Sequence, residues 1–321
     1  MTSLCERLGI ELPILQAGMG GGIARHELAV AVTDAGGLGT IAILEPGILA
    51  RELAAARRLT GKPLAINLLL PFATRAHWEV AREADVVVTF WGAPRRRTPR
   101  AWLHQCGSVD EALAAHRSGA DGVIVQGVEA GGHVRGTIPA LELLDRVGSA
   151  LPAGYPVAVA GGIAARDDVA RAIQAGAAAA LLGTRFLLSE ESRAHPDYKR
   201  RLLDARETVL TELFGMGWPR APHRVAWNEA ARRWLRDDHR GPRPLRVLNS
   251  LLAPLASRLP DPIQARLTAA QRADRPLFSP APPADDSPPN LLDAGPLYAG
   301  ESVARIAEIR PAAALTRELT P

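Results

Sequence analysis

Eight short apolar runs, beginning near residues 14, 38, 64, 85, 102, 122, 157 and 179, punctuate the first part of this chain. Each is too short for a helix and reads as a strand. Asp85–Phe90 is apolar almost throughout, as a strand buried on both faces should be. Helix-spaced segments stand between most of them: His26–Ala35, Pro46–Leu59, Ala73–Arg82, a segment opened by Ser108, then Ile138–Val147 and Ala164–Ala175. A strand about every twenty to twenty-five residues, alternating with helices, suits βα units closing into a barrel. The fold expected is therefore α/β: a (β/α)8 TIM barrel with a smaller lid domain inserted near the C-terminus. A doubly wound open sheet is the rival. It expects a glycine-rich loop after the first strand, and Ala17-Gly18-Met19-Gly20-Gly21-Gly22 supplies one. Periodicity alone leaves both open.

Local signals set the boundaries. Pro46 falls early in its helix, where proline is tolerated. Ser108 with Glu111 three residues on reads as a capping box. Gly119 and Gly176 close helices. The connection after Gly92-Ala93-Pro94 is too short for a full helix. Beyond Thr184 the pattern changes. Ser192–Arg206 reads as a helix, and Phe214–Arg236 is Trp-rich and basic. From Pro242 to Pro296 prolines recur every few residues, which argues against long elements there. Ser302–Leu319 is helical with a break at Pro311. The expected division is a barrel of residues 1–190, completed by a C-terminal helix within 296–321, and a smaller lid or substrate domain of residues 191–295.

Aromatic residues make up only 4%, so the core must be mostly Ala, Val, Leu and Ile. The formal charge of +4 is carried by arginine, since Lys62 and Lys199 are the only lysines. The basic residues read as scattered, apart from Arg95-Arg96-Arg97, without the aromatic-interleaved stripe of a nucleic-acid protein. Cys5 and Cys106 are no disulfide framework, so a reducing cytoplasm is expected. The N-terminus lacks an apolar signal region, and no apolar run approaches a membrane span. Neither nucleic acid nor membrane is an expected partner. There is no HExxH, no Cys-x-x-C and no G-x-S-x-G, so neither a metal site nor a hydrolase elbow is expected.

The chemistry concentrates in Gly122–Gly136, GVIVQGVEAGGHVRG, where a β-branched strand runs into a glycine-dense loop holding His133. Glycine lets backbone approach a ligand closely, and an imidazole just past a strand end is placed where α/β barrels do chemistry. Glu129, four residues earlier, could orient His133 or neutralise it. His104 ends the fifth strand and is a weaker candidate for the same mouth; His77 and His26 read as outward helix positions. Gly161-Gly162 and Gly183-Thr184 follow the seventh and eighth strands, where barrels hold phosphate. Asn67 and Gln126 are amides in or ending apolar strands; a cross-strand hydrogen bond and a ligand contact are open to both. Met19 is suited to lie against a flat ring, or to fill core.

PILQAGMGGG, ELAVAVTDAGGLGTIA, INLLLP, GADGVIVQGVEAGGHVRG, VAVAGGI and LLGTRFLLSEESRAHPDYK, in this order, resemble the nitronate monooxygenase (2-nitropropane dioxygenase) family over about residues 10–205. The resemblance resumes weakly at PLYAGESVARI. It implies a barrel holding non-covalent FMN under a small lid. Position by position, it puts Gly18 and Met19 against the flavin, Asn67, Gln126 and Gly131 in contact with FMN, and Gly162, Gly183 and Thr184 on its phosphate. His133 would be the catalytic residue beside the ring. The implied reaction is oxidation of an alkyl nitronate with O2 through one-electron transfer to the flavin. The alternative is an NAD(P)H-dependent flavin reductase on the same scaffold, an enoyl reductase or NADH:quinone reductase. A homodimer is one assembly open to such a chain. Two departures stand out: Gly18 replaces a proline common before the first-loop methionine, and Val134 is an inserted-looking position after His133.

Overall fold

The computed structural model describes residues 3–236, 238–256 and 261–321. Its main sheet holds β1 (Ile14–Gln16), β2 (Gly39–Ile41), β3 (Leu64–Leu69), β4 (Val86–Phe90), β5 (Ala101–Cys106), β6 (Gly122–Gln126), β8 (Val157–Ala160) and β9 (Ala179–Leu182), all parallel. The spatial order β1-β9-β8-β6-β5-β4-β3-β2 closes on itself, because Leu15 bridges Leu38 in parallel. Gln16 N–H donates to Leu38 O at 3.0 Å across that seam. Closure removes the open edge that a doubly wound sheet would keep, so the fold is a (β/α)8 barrel.

The helices are α1 (Leu4–Leu8), α2 (His26–Asp34), α3 (Pro46–Leu59), α4 (Arg75–Ala81), α5 (Val109–Arg117), α6 (Ala140–Ala150), α7 (Arg166–Gln174), α8 (Thr184–Leu187), α9 (Pro196–Asp204), α10 (Glu229–Trp234), α11 (Arg243–Ala256), α12 (Asp261–Ala269), α13 (Leu291–Ala294) and α14 (Ala312–Glu318). Alternation along the strands sorts the core into two shells. Ile66, Leu68, Val87, Val123 and Val125 pack outward against the helices. Leu15, Leu38, Ala65, Val88, Leu103, Ile124 and Ala158 fill the inside of the barrel. Leu4, Leu8 and Ile10 join that inner shell, so α1 plugs one mouth. Its start carries a capping box between Ser3 and Glu6.

No helix lies between β4 and β5. At Ser108 the hydroxyl caps α5 through Glu111 N–H, but the Glu111 carboxylate takes Gly107 N–H at 2.8 Å and pairs with Arg135, so the reciprocal half of the expected box is diverted. The proline argument fails for residues 243–256. There α11 runs fourteen residues: Pro244 falls in its first turn, where proline is tolerated, and Pro254 stands inside the helix near its end, with no N–H to donate to the preceding turn. α14, introduced by Pro311, packs on α2.

A second sheet is antiparallel: β10 (Thr208–Thr211), β11 (His223–Ala226) and the two-residue β7 (Gly132–His133). β7 belongs to the loop after β6, so the segment holding His133 is the edge strand of this sheet. Its partner opposite His133 is His223. Among the described residues no helix is long and apolar enough to cross a membrane.

Candidate active site

A cavity of 1140 Å³ opens at the C-terminal ends of the barrel strands, above the roughly 300–1,000 Å³ common for ligand sites. Asn67, Gln105 and Gln126 share the inward parity of Ala65, Leu103 and Ile124 and form part of its floor. Gly18 and Met19 line it from the first loop, Gly131 and His133 from the sixth, Gly162 from the seventh-strand loop, and Gly183 and Thr184 from the eighth. The nine residues that the family resemblance assigns to the site thus stand around one space. The far wall comes from the C-terminal third of the chain: Met216–Trp218, one side of α12, the segment 279–288 and Tyr298.

The seventh-strand loop is built to present backbone. Gly161 and Gly162 adopt φ of +120° and +69°, and the N–H groups of Gly161, Gly162 and Ile163 have no hydrogen-bond partner among the described residues. Consecutive free amides in such a turn form an anion-binding concavity. The Thr184 hydroxyl accepts from Gly300 N–H at 2.9 Å and keeps its own proton to donate. Asp168 holds the loop. Its carboxylate accepts from Ala164 and Ala165 N–H and pairs with Arg305, which also donates to Gly162 O at 2.6 Å. Burial raises its pKa, but the two amides and Arg305 outweigh this and hold it below the usual value. Stability linked to Asp168 is therefore present above its unfolded pKa of about 3.9 and lost as pH falls through its lower folded value. Asp168→Asn is expected to cost about 1–3 kcal/mol at neutral pH, measured by urea unfolding, with the deficit shrinking as the medium is acidified below about pH 4.

The amides divide. Gln126 is consumed by the protein: its Nε2 donates to His133 O at 3.0 Å and its Oε1 accepts from Arg135 N–H at 2.9 Å. It staples the His133 loop to the floor. Asn67 has no side-chain hydrogen bond among the described residues, and it faces the cavity. Gly18 is tight because a Cβ there would run into the Asn67 side chain, and Gly131 because a Cβ would collide with the Gly300 backbone.

His133 sits in an aromatic nest. Its ring stacks on Trp218 at 3.9 Å and 24°, with Tyr298, His223 and Trp91 at 5.5, 5.2 and 6.0 Å. Its Nε2 is buried with no partner. Burial pushes this imidazole well below its usual range, and His223 adds to the shift, so it is neutral at pH 7. His223 is fixed neutral as well: Nδ1 meets Ala221 O at 2.9 Å while Nε2 accepts from Phe214 N–H, and burial lowers it to about 4.

Three expectations are corrected. Glu129 makes no hydrogen bond or ion pair to His133; its Oε1 accepts from Ala140 N–H at 2.9 Å at the start of α6. His104 is not at the mouth; it is buried against the Thr89 hydroxyl at 2.8 Å and its pKa falls to about 4 through burial and Arg135. His77 lies inside rather than outside, capping α4 at Thr74 and touching Leu44 O on the cavity wall. His26 is outside, paired with Glu52 at 2.6 Å. His26, Glu27 and Glu52 come within metal-binding reach, but Arg25 already engages Glu52.

Trp91, Trp218, Tyr298 and Gln105 were not legible from the sequence as site residues. Gln105 carried the signal that marked Gln126, a polar residue closing an apolar strand. Trp91 takes φ +63°, a strained value for a bulky residue, and so turns its ring to Trp218 at 5.0 Å with the Arg135 guanidinium 5.0 Å from its centroid. Removing the ring that covers His133, by Trp218→Ala, is expected to let water in and raise the imidazole pKa toward about 6.5. The acid limb of the kcat/KM pH profile then moves up; an unmoved limb would show that Trp218 is not what desolvates the ring.

The sequence model described as nitronate monooxygenase matches residues 1–97 and 95–321. The chain is 35% identical over 243 residues to a (3aS,4S,5R,7aS)-5-hydroxy-7a-methyl-1-oxo-octahydro-1H-indene-4-carboxyl-CoA dehydrogenase of Mycobacterium tuberculosis, covering 71% of this chain and 66% of that one. It is 32% identical over 300 residues to a nitronate monooxygenase of Pseudomonas aeruginosa, covering 72% and 83%. Among solved structures, FabK from Thermotoga maritima superposes with a TM-score of 0.76 at 29% identity, over 99% of this chain and 95% of that one. A nitroalkane oxidase from Streptomyces ansochromogenes gives 0.74 at 29%, over 97% and 95%.

Proposed function

The chain belongs to the nitronate monooxygenase family, an oxidoreductase family of flavoproteins, and from that premise we propose that it is an FMN-dependent cytoplasmic enzyme oxidising alkyl nitronates with O2. The observation that carries the reading is His133: a neutral imidazole with an unpartnered Nε2, walled by aromatic rings, in a cavity whose other end offers free amides. The residues present fit the cofactor. Gly161–Ile163 N–H groups and the Thr184 proton suit a phosphate, the Asn67 amide suits a polar ring edge, and Gly18, Met19 and Gly131 give a close-approach wall. Gln126 supports the site by fixing the His133 loop.

When bound, the flavin supplies an electron acceptor that O2 can reoxidise. The chain supplies positioning and proton chemistry. With Nε2 unprotonated, His133 takes the α-proton of a neutral nitroalkane; in the other tautomer, Nε2–H donates to a nitro oxygen of a nitronate. Trp218, Trp91 and Tyr298 cover that nitrogen, so substrate reaches it only when this cover moves aside, and until then the same rings keep water from it. We take residues 191–295 as a lid over the barrel mouth.

A second reading, an NAD(P)H-dependent enoyl or quinone reductase, is favoured by the 35% identity to a dehydrogenase of a carboxyl-CoA compound. The two are separated by an anaerobic absorbance titration of the FMN-loaded protein. Bleaching by propionate 3-nitronate, reversed by O2, supports the monooxygenase. Bleaching by NADH or NADPH with no response to the nitronate moves the assignment to the reductase. A protein that takes up no FMN refutes both.

A further inference from the structure

α11 is turned inside out for a surface helix. Leu245 and Asn249, four residues apart, are buried, while Val247, Leu248, Leu251 and Leu255 share the opposite face and stand exposed. Leu251 and Leu255 leave 70% and 63% of their surface to solvent. A solvated helix carries polar residues there. α12 repeats the feature one turn apart at Ile263 and Leu267, and Leu267 also lines the cavity. Leu251 and Leu255, the most exposed of them, are no part of the cavity lining.

The stretch of sequence that carries both helices is basic, although Arg240, Arg246 and Arg272 are paired with Glu212, Asp238 and Asp274. Residues 229–277 hold ten arginines against five Asp and Glu, a net of +5, whereas the other residues hold 28 Lys and Arg against 29 Asp and Glu. The positive charge that reads as scattered is thus confined to the segment carrying the apolar stripe. Arg243 flanks that stripe on α11 and Arg266 lies between Ile263 and Leu267 on α12; both are exposed and have no ion pair among the described residues. A second copy is a poor occupant, because an isologous contact would set one +5 segment against another. An acyl-chain surface with anionic headgroups satisfies both features: leucines enter the boundary and arginines stay at headgroup level.

We propose that α11 and α12 form a docking face for an anionic lipid bilayer. The protein lies on the membrane without spanning it.

The test is cosedimentation of the FMN-loaded full chain with vesicles of phosphatidylcholine alone or with about one third phosphatidylglycerol. Binding is expected only to the anionic vesicles and is expected to weaken with added salt. Leu251→Ser/Leu255→Ser and Arg243→Glu/Arg266→Glu are each expected to lower the apparent affinity by about tenfold or more. Helical circular dichroism and activity on a water-soluble nitronate should stay unchanged, since these side chains are exposed and outside the catalytic nest. A wild-type protein that stays in the supernatant overturns the proposal, as does undiminished binding by both double variants. A dimer in sedimentation equilibrium that Leu251→Ser/Leu255→Ser dissolves, without vesicle binding, assigns the face to a second copy instead.

Discussion

His133→Asn is expected to lower kcat with a neutral nitroalkane by about 10²–10⁴-fold, the usual contribution of a positioned general base. Asparagine keeps a donor of similar reach but cannot take a proton. Oxidation of a preformed nitronate, which needs no base, should fall less. The fold should hold, because the His133 side chain makes no hydrogen bond among the described residues and the loop is tied through its backbone by Gln126 and by the register with His223. FMN content should be unchanged. The two substrates make the result diagnostic: equal losses on both would deny the proton-transfer role. Because burial and His223 hold the imidazole well below its usual range, wild-type activity should show no acid limb near pH 6.5; the base is neutral above its depressed pKa and is lost only as pH falls through it.

Gly183→Val is expected to cost at least about a hundredfold in FMN affinity, a loss of roughly 2.7 kcal/mol. A Cβ at Gly183 meets only Ala17 at 3.7 Å, so the backbone accepts it without strain. The two methyl groups beyond would project toward the cavity, near Thr184 and the free amides of the seventh-strand loop. Equilibrium dialysis with FMN reads the affinity and thermal melting of the apoprotein reads the fold. A yellow, fully loaded variant would refute the phosphate assignment. Thr184→Ala is a poorer probe, because it also strands the buried Gly300 N–H. Gly131→Val is poorer still, since its Cβ alone would collide with the Gly300 backbone.

The barrel was legible because its signal is local. Strand length, apolar continuity and the glycines and caps between runs are properties of consecutive residues, and all eight strands lie within about two residues of their expected places. Even so, α11 was hidden by proline counting, which ignores that proline is tolerated in a first turn, as at Pro244, and that packing can carry a helix through one more, as at Pro254. The candidate site residues on the barrel were legible for the same reason. A (β/α)8 barrel brings its strand ends to one face, so Asn67, Gln126, Gly162, Gly183 and Thr184 converge once closure is granted.

Contacts that join distant segments were not legible. His104 went to the core and His77 to the cavity wall, because whether a strand-end or helix side chain meets solvent, core or cavity depends on what packs above it. Trp218 lies eighty-five residues beyond His133, and no local pattern announces that their rings stack. The sequence by itself determined the barrel, its glycine loops and the histidine among them, since backbone propensity and side-chain period act over a few residues. Only the tertiary structure decided that this histidine is neutral and dry. That depends on β7 pairing with β11, which sets His223 opposite it, and on Trp218 and Tyr298 packing around it; desolvation is a property of the assembled surroundings rather than of the residue.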